Sequence, residues 1–399
     1  MVKIMFLGAA DFQLAPIRYA KQKGYEIITC DNRPSNPGHK LATQSYNVST
    51  IDKNAILKIA KKEKINGILT YGSDISAPTV AYVAKKMNLP GNSIKSIDTL
   101  VSKKLFRKKI KQNISYKIFT NSNLALIYLL YLRKKPYVLK PIDSAGSKGV
   151  SFVQNPKDID AYDLQKLIKN AIDNSITKTI IIEDYMVKAG KQVCGDGFMF
   201  NGKLEFIYLG DGHFYSDRLA PWGESFPSTH SYLDLEVAKV KIEETLKKVK
   251  YNNGPFNVDL FILENGEPFI NEIGPRNGGN FIPQVTKLAT GVDMIEATVE
   301  SCYDKNYVFE PTFSSSDYYY SSYMIHSKDK EGKFKNIRYK ENLKNKIVLE
   351  TLFINKGDNV NKFFKGNDAI GNLILRFENK KEMNEMYKII NKQINIKLI

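Results

Sequence analysis

The 399-residue chain contains only three cysteines, Cys30, Cys194 and Cys302, and they stand far apart. Without metal-ligand spacing or a dense even set, they imply neither a zinc site nor a disulfide framework. No apolar run approaches the roughly 20 residues of a membrane-spanning helix, so no membrane partner is expected. Residues 1–8 briefly resemble a secretory segment, but Asp11 interrupts them and a helical pattern follows. The chain therefore reads as cytoplasmic. Two phosphate-binding signatures are missing as well. G-x-x-x-x-G-K-[ST] does not occur, and Gly8-Ala9-Ala10 after the first strand lacks the G-x-G-x-x-G spacing. There is no internal repeat and no low-complexity linker.

What the chain has in excess is positive charge: Lys+Arg 59 against Asp+Glu 42, a net +17 with a pI near 9.4. Such a balance raises the question of nucleic acid. The lysines, however, are interleaved with Asn, Ile and Tyr along the whole chain rather than gathered in a stripe. No nucleic-acid partner is expected, and the field favours small anions such as nucleotides or sugar phosphates. The densest clusters are residues 102–109 and 328–346. Hydrophobic content of 43% with 25% charged residues is ordinary for a globular protein, and the length suggests two or three domains sharing a cleft.

Residues 3–7 read as a strand, the following stretch to 23 as a helix, and 25–30 as a second strand ending at Asp31. Helix 53–64, strand 65–71 and helix 77–87 repeat the pattern, so residues 1–95 form the start of a doubly wound sheet. A helix over 96–112 links this unit onward. Residues 137–183 read strand, glycine-serine loop, strand, helix, strand. Antiparallel hairpins dominate to about 285, and strands with a helix at 380–391 close the chain.

The segment 257–279 concentrates the chemistry. Val258 to Leu263 and Pro268 to Ile273 are apolar runs flanking the turn Glu264-Asn265-Gly266-Glu267, so a hairpin folds Asp259 toward Glu272. Adjacent carboxylates repel unless a cation lies between them, and magnesium is commonly held by one or two carboxylates plus phosphate oxygens. Arg276 can grip a phosphate bidentately. The alternative is a surface hairpin whose acids face water, which Asp259, flanked by Val258, Leu260, Phe261 and Ile262, argues against. Lys140 closes an apolar strand before Pro141, pointing an ammonium under the small-residue loop 144–149, which either covers phosphates or simply turns. The chain after Glu183 either offers main-chain groups to an adenine edge, walled by Met186 and Val187, or is an ordinary strand end. In the loop 211–222, Arg218 is a candidate for holding a carboxylate or sugar phosphate, or a plain surface cation. Trp222 is a candidate wall and His213 a weaker candidate base.

Val138-Leu139-Lys140-Pro141 with Gly146-Ser147-Lys148-Gly149-Val150, then Glu183-Asp184-Tyr185, then Asp259 with the run Asn271 to Gly279, resemble in order and spacing the ATP-grasp superfamily and its carboxylate–amine ligases. The resemblance covers nearly the whole chain. It implies an ATP-grasp fold of α/β and α+β class: a preATP-grasp domain at 1–95, an ATP-grasp domain at 96–305 with subdomains of about 115–187 and 188–305, and a small β-rich C-terminal domain at 306–399, similar to those of biotin carboxylase and carboxyaminoimidazole synthetase. It further implies that Lys103 or Lys104 and Lys140 touch the α- and β-phosphates of ATP, and that Ser144, Gly146, Ser147 and Gly149 cover the triphosphate. Glu183, Asp184, Tyr185 and Val187 would form the adenine hinge, Asp259 and Glu272 would hold Mg2+ or Mn2+, and Arg276 would bind the transferred phosphoryl group. Two positions depart from the pattern. Gln192 stands where a ribose-binding glutamate is usual, and Gly274 where many members carry a metal-binding asparagine. The implied activity is amide formation from a carboxylate and an amine through an acyl phosphate, with release of ADP and phosphate. A bicarbonate-dependent carboxylase or acyl-phosphate-forming enzyme, and a nucleotide-binding module without turnover, are the other readings. The partners are small molecules, with the C-terminal region a candidate dimer contact.

Overall fold

The structure, a computed structural model, describes residues 1–132, 135–144, 148–215, 220–314 and 316–399. In the N-terminal region, apolar strands alternating with amphipathic helices bury a sheet by parallel crossovers. Strands Lys3–Leu7, Glu26–Asp31, Gln44–Asn47 and Gly67–Thr70 form a parallel sheet in the spatial order third, second, first, fourth. Asp31 accepts the amide of Ala9 at 2.9 Å and the side-chain amide of Asn36 at 2.9 Å. The acid ending the second strand therefore pins the turn after the first.

The helix expected over 96–112 is two helices, Ile94–Val101 and Lys103–Ile110. Ser102 lies between them in an extended conformation and caps the second, its hydroxyl accepting from the amide of Leu105. Helical periodicity alone does not reveal a break of one residue. A small antiparallel sheet follows, in the order Tyr116–Phe119, Ile180–Asp184, Tyr137–Pro141, Ser151–Val153. Helices Ser122–Tyr131 and Ala161–Asp173 supply its core through Ala125, Leu129, Leu164 and Ile168.

The largest sheet has eight antiparallel strands, ordered Pro268–Gly274, Gly254–Ile262, Gln192–Phe200, Lys203–Phe214, Pro221–Phe226, Tyr319–Ile325, Gly371–Phe377, Ile347–Leu352. Residues on both sides of position 305 therefore share one sheet. The run of hairpins expected to residue 285 is interrupted by helix Tyr232–Val249, whose Ala238, Ile242 and Leu246 fill the core beneath the sheet. Its many lysines and glutamates mask the apolar stripe. Among the described residues, no helix is long and apolar enough to cross a membrane.

Candidate functional site

Along strand Gly254–Ile262 buried and half-buried side chains alternate. Phe256, Val258, Leu260 and Ile262 enter the core, which turns Asn257 and Asp259 to the opposite face. Strand Pro268–Gly274 pairs with it, and Asp259 lies directly opposite Glu272. The register slips between Asp259 and Leu260, inserting one residue on the partner strand. Ile270 and Ile273 can then both join the core, while Asn271 and Glu272 between them both meet lysines of the cleft. Burial, together with the facing Glu272, pushes the Asp259 carboxyl up to about 7. A divalent cation between the two acids would relieve that repulsion, so the donor set fits magnesium. Among the described residues no three His, Cys, Asp or Glu side chains converge on one point. A cation here would complete its shell with phosphate or water oxygens. Gln192, expected near a ribose, donates its side-chain amide to Asp259 at 2.9 Å in this state.

The opposite wall is cationic. Lys103 and Arg107, four residues apart, share one face of their helix. Lys103 Nζ donates to the carbonyl of Ser144 at 3.0 Å and stands 3.7 Å from Glu272, whereas Lys104 is exposed. Of that pair, Lys103 is the one in the cleft. Arg107, which sequence reasoning missed, donates to Glu183 at 2.7 Å and to the carbonyl of Asn271 at 3.0 Å. Lys140 Nζ donates to Glu183 at 2.9 Å and to Asn271 Oδ1 at 3.1 Å. Burial alone would raise the Glu183 carboxyl, but Lys140 and Arg107 hold it at about 2. Burial lowers Lys140 below the usual range; Glu183 opposes this, while Arg107 and Lys103 add to it. Two cations, Arg107 and Lys140, thus share one buried anion, with Lys103 alongside at Ser144, a local surplus of positive charge that a polyphosphate would complement. The signal for Arg107 was its spacing from Lys103.

The Glu183 carboxylate thus faces the cationic wall rather than the strand end expected of an adenine hinge. The amides of Asp184 and Tyr185 are taken by the carbonyls of Ser115 and Pro136, at 3.0 and 3.1 Å. Those of Met186 and Val187 donate to no group among the described residues, so the free main-chain edge lies there. Tyr185 stacks on Phe152 with centroids 4.3 Å apart. In the small-residue loop, the Ser144 hydroxyl donates to the carbonyl of Lys148. Gly149 has φ +70, and a Cβ there would lie 2.8 Å from the Asn174 side chain, so conformation and space both require glycine. Gly146, Ser147 and Arg218 lie outside the described residues.

Arg276 donates to Asp74 at 2.6 Å and to the carbonyl of Asn277 at 3.0 Å. Asp74 arrives from the N-terminal unit, opening the 3-10 turn Asp74–Ser76 that follows the fourth strand. This contact explains Gly274. A Cβ at that position would sit 2.5 Å from Asp74 Oδ1 and 2.9 Å from Arg276 Cζ. The space an asparagine would occupy is filled by a carboxylate from another part of the chain. Gly274→Asn is accordingly expected to destabilise the protein by about 1–3 kcal/mol through overpacking. Urea denaturation reads this, and an unchanged midpoint would remove the steric explanation.

Further along the loop, the amide of Gly278 donates to both oxygens of Asp196, each at 2.9 Å, and a Cβ on Gly278 would lie 2.7 Å from one of them. Asn280 then donates to Glu224 at 2.9 Å. Asp74, Asp196 and Glu224 carried no local signal beyond an acid at or near a strand. His213 is buried, bonded to the Ser225 hydroxyl at 2.8 Å and packed on Tyr387 and Trp222. Burial pushes its imidazole down to about 3, so it is neutral near pH 7, a packing group rather than a base on the cleft surface. Trp222 stacks on Tyr387 of the C-terminal helix Lys380–Gln393 and lies in that interface.

No family model matches the chain. Formate-dependent phosphoribosylglycinamide formyltransferase of Wolinella succinogenes is 26% identical over 282 residues, covering 69% of this chain and 70% of that protein. An L-amino acid ligase from Bacillus licheniformis superposes with a TM-score of 0.82 at 16% identity, covering 100% of this chain and 99% of the other. The biotin carboxylase domain of Hydrogenobacter thermophilus 2-oxoglutarate carboxylase, solved with MgADP, ADP and bicarbonate, superposes with a TM-score of 0.75 at 15% identity, covering 99% and 90%.

Proposed function

The chain has the ATP-grasp fold, and from that premise we propose that it is an ATP-dependent ligase joining a carboxylate to an amine through an acyl phosphate, with release of ADP and phosphate. One observation carries the reading: Lys103 reaches both the carbonyl of Ser144 and the neighbourhood of Glu272, so the cationic wall and the acid hairpin face each other across one cleft. That is the charge layout a nucleoside triphosphate needs.

In this reading Lys140, Lys103 and Arg107 neutralise the α- and β-phosphates, and the purine edge meets the main chain at Met186 and Val187. Asp259 and Glu272 hold magnesium, which when bound neutralises phosphate oxygens and fixes their orientation. Arg276 stabilises charge on the γ-phosphoryl group as a substrate carboxylate oxygen attacks phosphorus and ADP leaves. The amine nitrogen then attacks the acyl carbon, and the carbon–oxygen bond to phosphate breaks. In this reading residues 144–149 would keep water from the acyl phosphate. The formate-dependent activity named for the Wolinella succinogenes relative and the ligase named among the structures both fit a carboxylate activated by ATP. A cytoplasmic location goes with such metabolic chemistry.

The test is ADP release from MgATP with a panel of carboxylic acids, hydroxylamine trapping the acyl phosphate. Acid-dependent ADP with matching hydroxamate is expected. ADP formed with bicarbonate alone would replace this reading with a carboxylase. Tight MgATP binding without ADP from any acid would leave a binding module.

A further inference from the structure

Strand Pro221–Phe226 carries a carboxylate that no step above uses. In the large sheet Asp259 lies opposite Cys194, Gln192 opposite Gly212, Gly212 opposite Glu224, and Glu224 opposite Ser322. Directly opposed residues of antiparallel strands share a face, as do residues two apart on one strand. Asp259, Gln192, Glu224 and Ser322 therefore line one face, the floor of the cleft, with side-chain-free Gly212 between Gln192 and Glu224.

Glu224 is 6% exposed. It accepts from Asn280, four residues beyond Arg276, at 2.9 Å, and from the Ser322 hydroxyl. Its own carbonyl accepts from Tyr387 at 3.2 Å. Both carboxylate partners are neutral donors, and among the described residues no basic side chain lies within ion-pair distance of it. The other charged groups that bear on it are acids: Asp196 on Gln192–Phe200 and Asp259 on Gly254–Ile262. An anion sunk into a floor beside other anions, with its oxygens aimed by two fixed donors, lacks only a cation.

We propose that Glu224 is the base of the amine subsite: it receives the ammonium of a small primary amine and takes its proton before the nitrogen attacks the acyl phosphate. The inference rests on the ligase reading. The ammonium loses one proton to the Glu224 carboxylate, and the freed nitrogen pair forms the C–N bond. The C–O bond to phosphate breaks with its electron pair on phosphate, and the leaving phosphate takes the second N–H proton, giving a neutral amide and hydrogen phosphate. Burial pushes the Glu224 carboxyl up to about 7, which suits a group that must accept and return a proton near neutrality. Asn280 and Arg276 end the same short loop, so the subsite and the phosphoryl site are held by one segment pinned at Gly278 by Asp196.

Binding at this subsite is read by isothermal titration calorimetry. The full chain with MgADP and inorganic phosphate is titrated with glycinamide at pH 7, acetamide serving as the neutral control. A saturable response to glycinamide is expected, weakened at least tenfold in Glu224→Gln, whose amide oxygen still accepts from Asn280 while its NH2 group can donate to the Ser322 hydroxyl, and less in Glu224→Asp, which keeps the charge. Equal affinity in wild type and Glu224→Gln, an equal response to acetamide, or no saturation by the wild type would overturn the assignment. The same titration without nucleotide separates the two claims. A Glu224-dependent glycinamide response in a protein that fails to bind MgADP would retire the ligase reading and keep the ammonium site. Normal MgADP binding with no Glu224 effect would do the reverse.

Discussion

Glu183→Gln is expected to lower stability by about 3–5 kcal/mol, because it leaves two buried cations without their anion. Arg107 is 3% exposed and Glu183 2% exposed, and Lys140 shares the same carboxylate. The amide can accept one hydrogen bond but cannot balance charge. Linkage gives an independent handle. The folded carboxyl lies at about 2 against an ordinary 4.5, a gap worth about 3 kcal/mol at 1.36 kcal/mol per pH unit. A depressed carboxyl stabilises the fold above its unfolded value and loses that contribution as pH falls. The wild type should therefore keep its advantage over Glu183→Gln at pH 6, and the two denaturation midpoints should converge between pH 4.5 and 2. Parallel midpoints across that window would show that the pair does not hold the wall together.

Arg276→Ala is expected to reduce ADP release by about 100- to 1,000-fold, the scale seen when one preorganised donor to a transition state is removed. If Arg276 meets the phosphoryl group only as it transfers, kcat falls while the KM for ATP changes little. Arg276→Lys should recover little, since the fork that reaches both Asp74 and a phosphate is lost. Because Asp74 is the arginine's anchor, Asp74→Asn should reproduce part of the kcat loss with the guanidinium still present. An Arg276→Ala enzyme that kept its kcat would place the residue in packing alone.

The parts of this site legible from sequence are those in which local pattern and chemistry coincide. An acid in an alternating apolar strand, a turn of the right length and a second acid brought Asp259 and Glu272 opposite each other, because a two-residue period and a short turn dictate register. The bulge that gives Asn271 a place in the cleft was not legible; it depends on Ile270 and Ile273 both being claimed by a core that includes helix Tyr232–Val249. The break at Ser102 was hidden too, since helical periodicity continues through it.

By itself the sequence determined the doubly wound start, the acid hairpin, the lysine before the small-residue loop and the order in which these parts occur, all of which follow from hydrophobic period, turn chemistry and spacing within a few tens of residues. Only the tertiary structure decided which charges answer one another. Asp74 fills the space beside Gly274 across 200 residues, Arg107 and Lys140 share Glu183 across two elements, and Glu224 joins the cleft floor only because four strands lie side by side. Electrostatic partnership depends on distance in space and on burial, and neither is carried by local pattern.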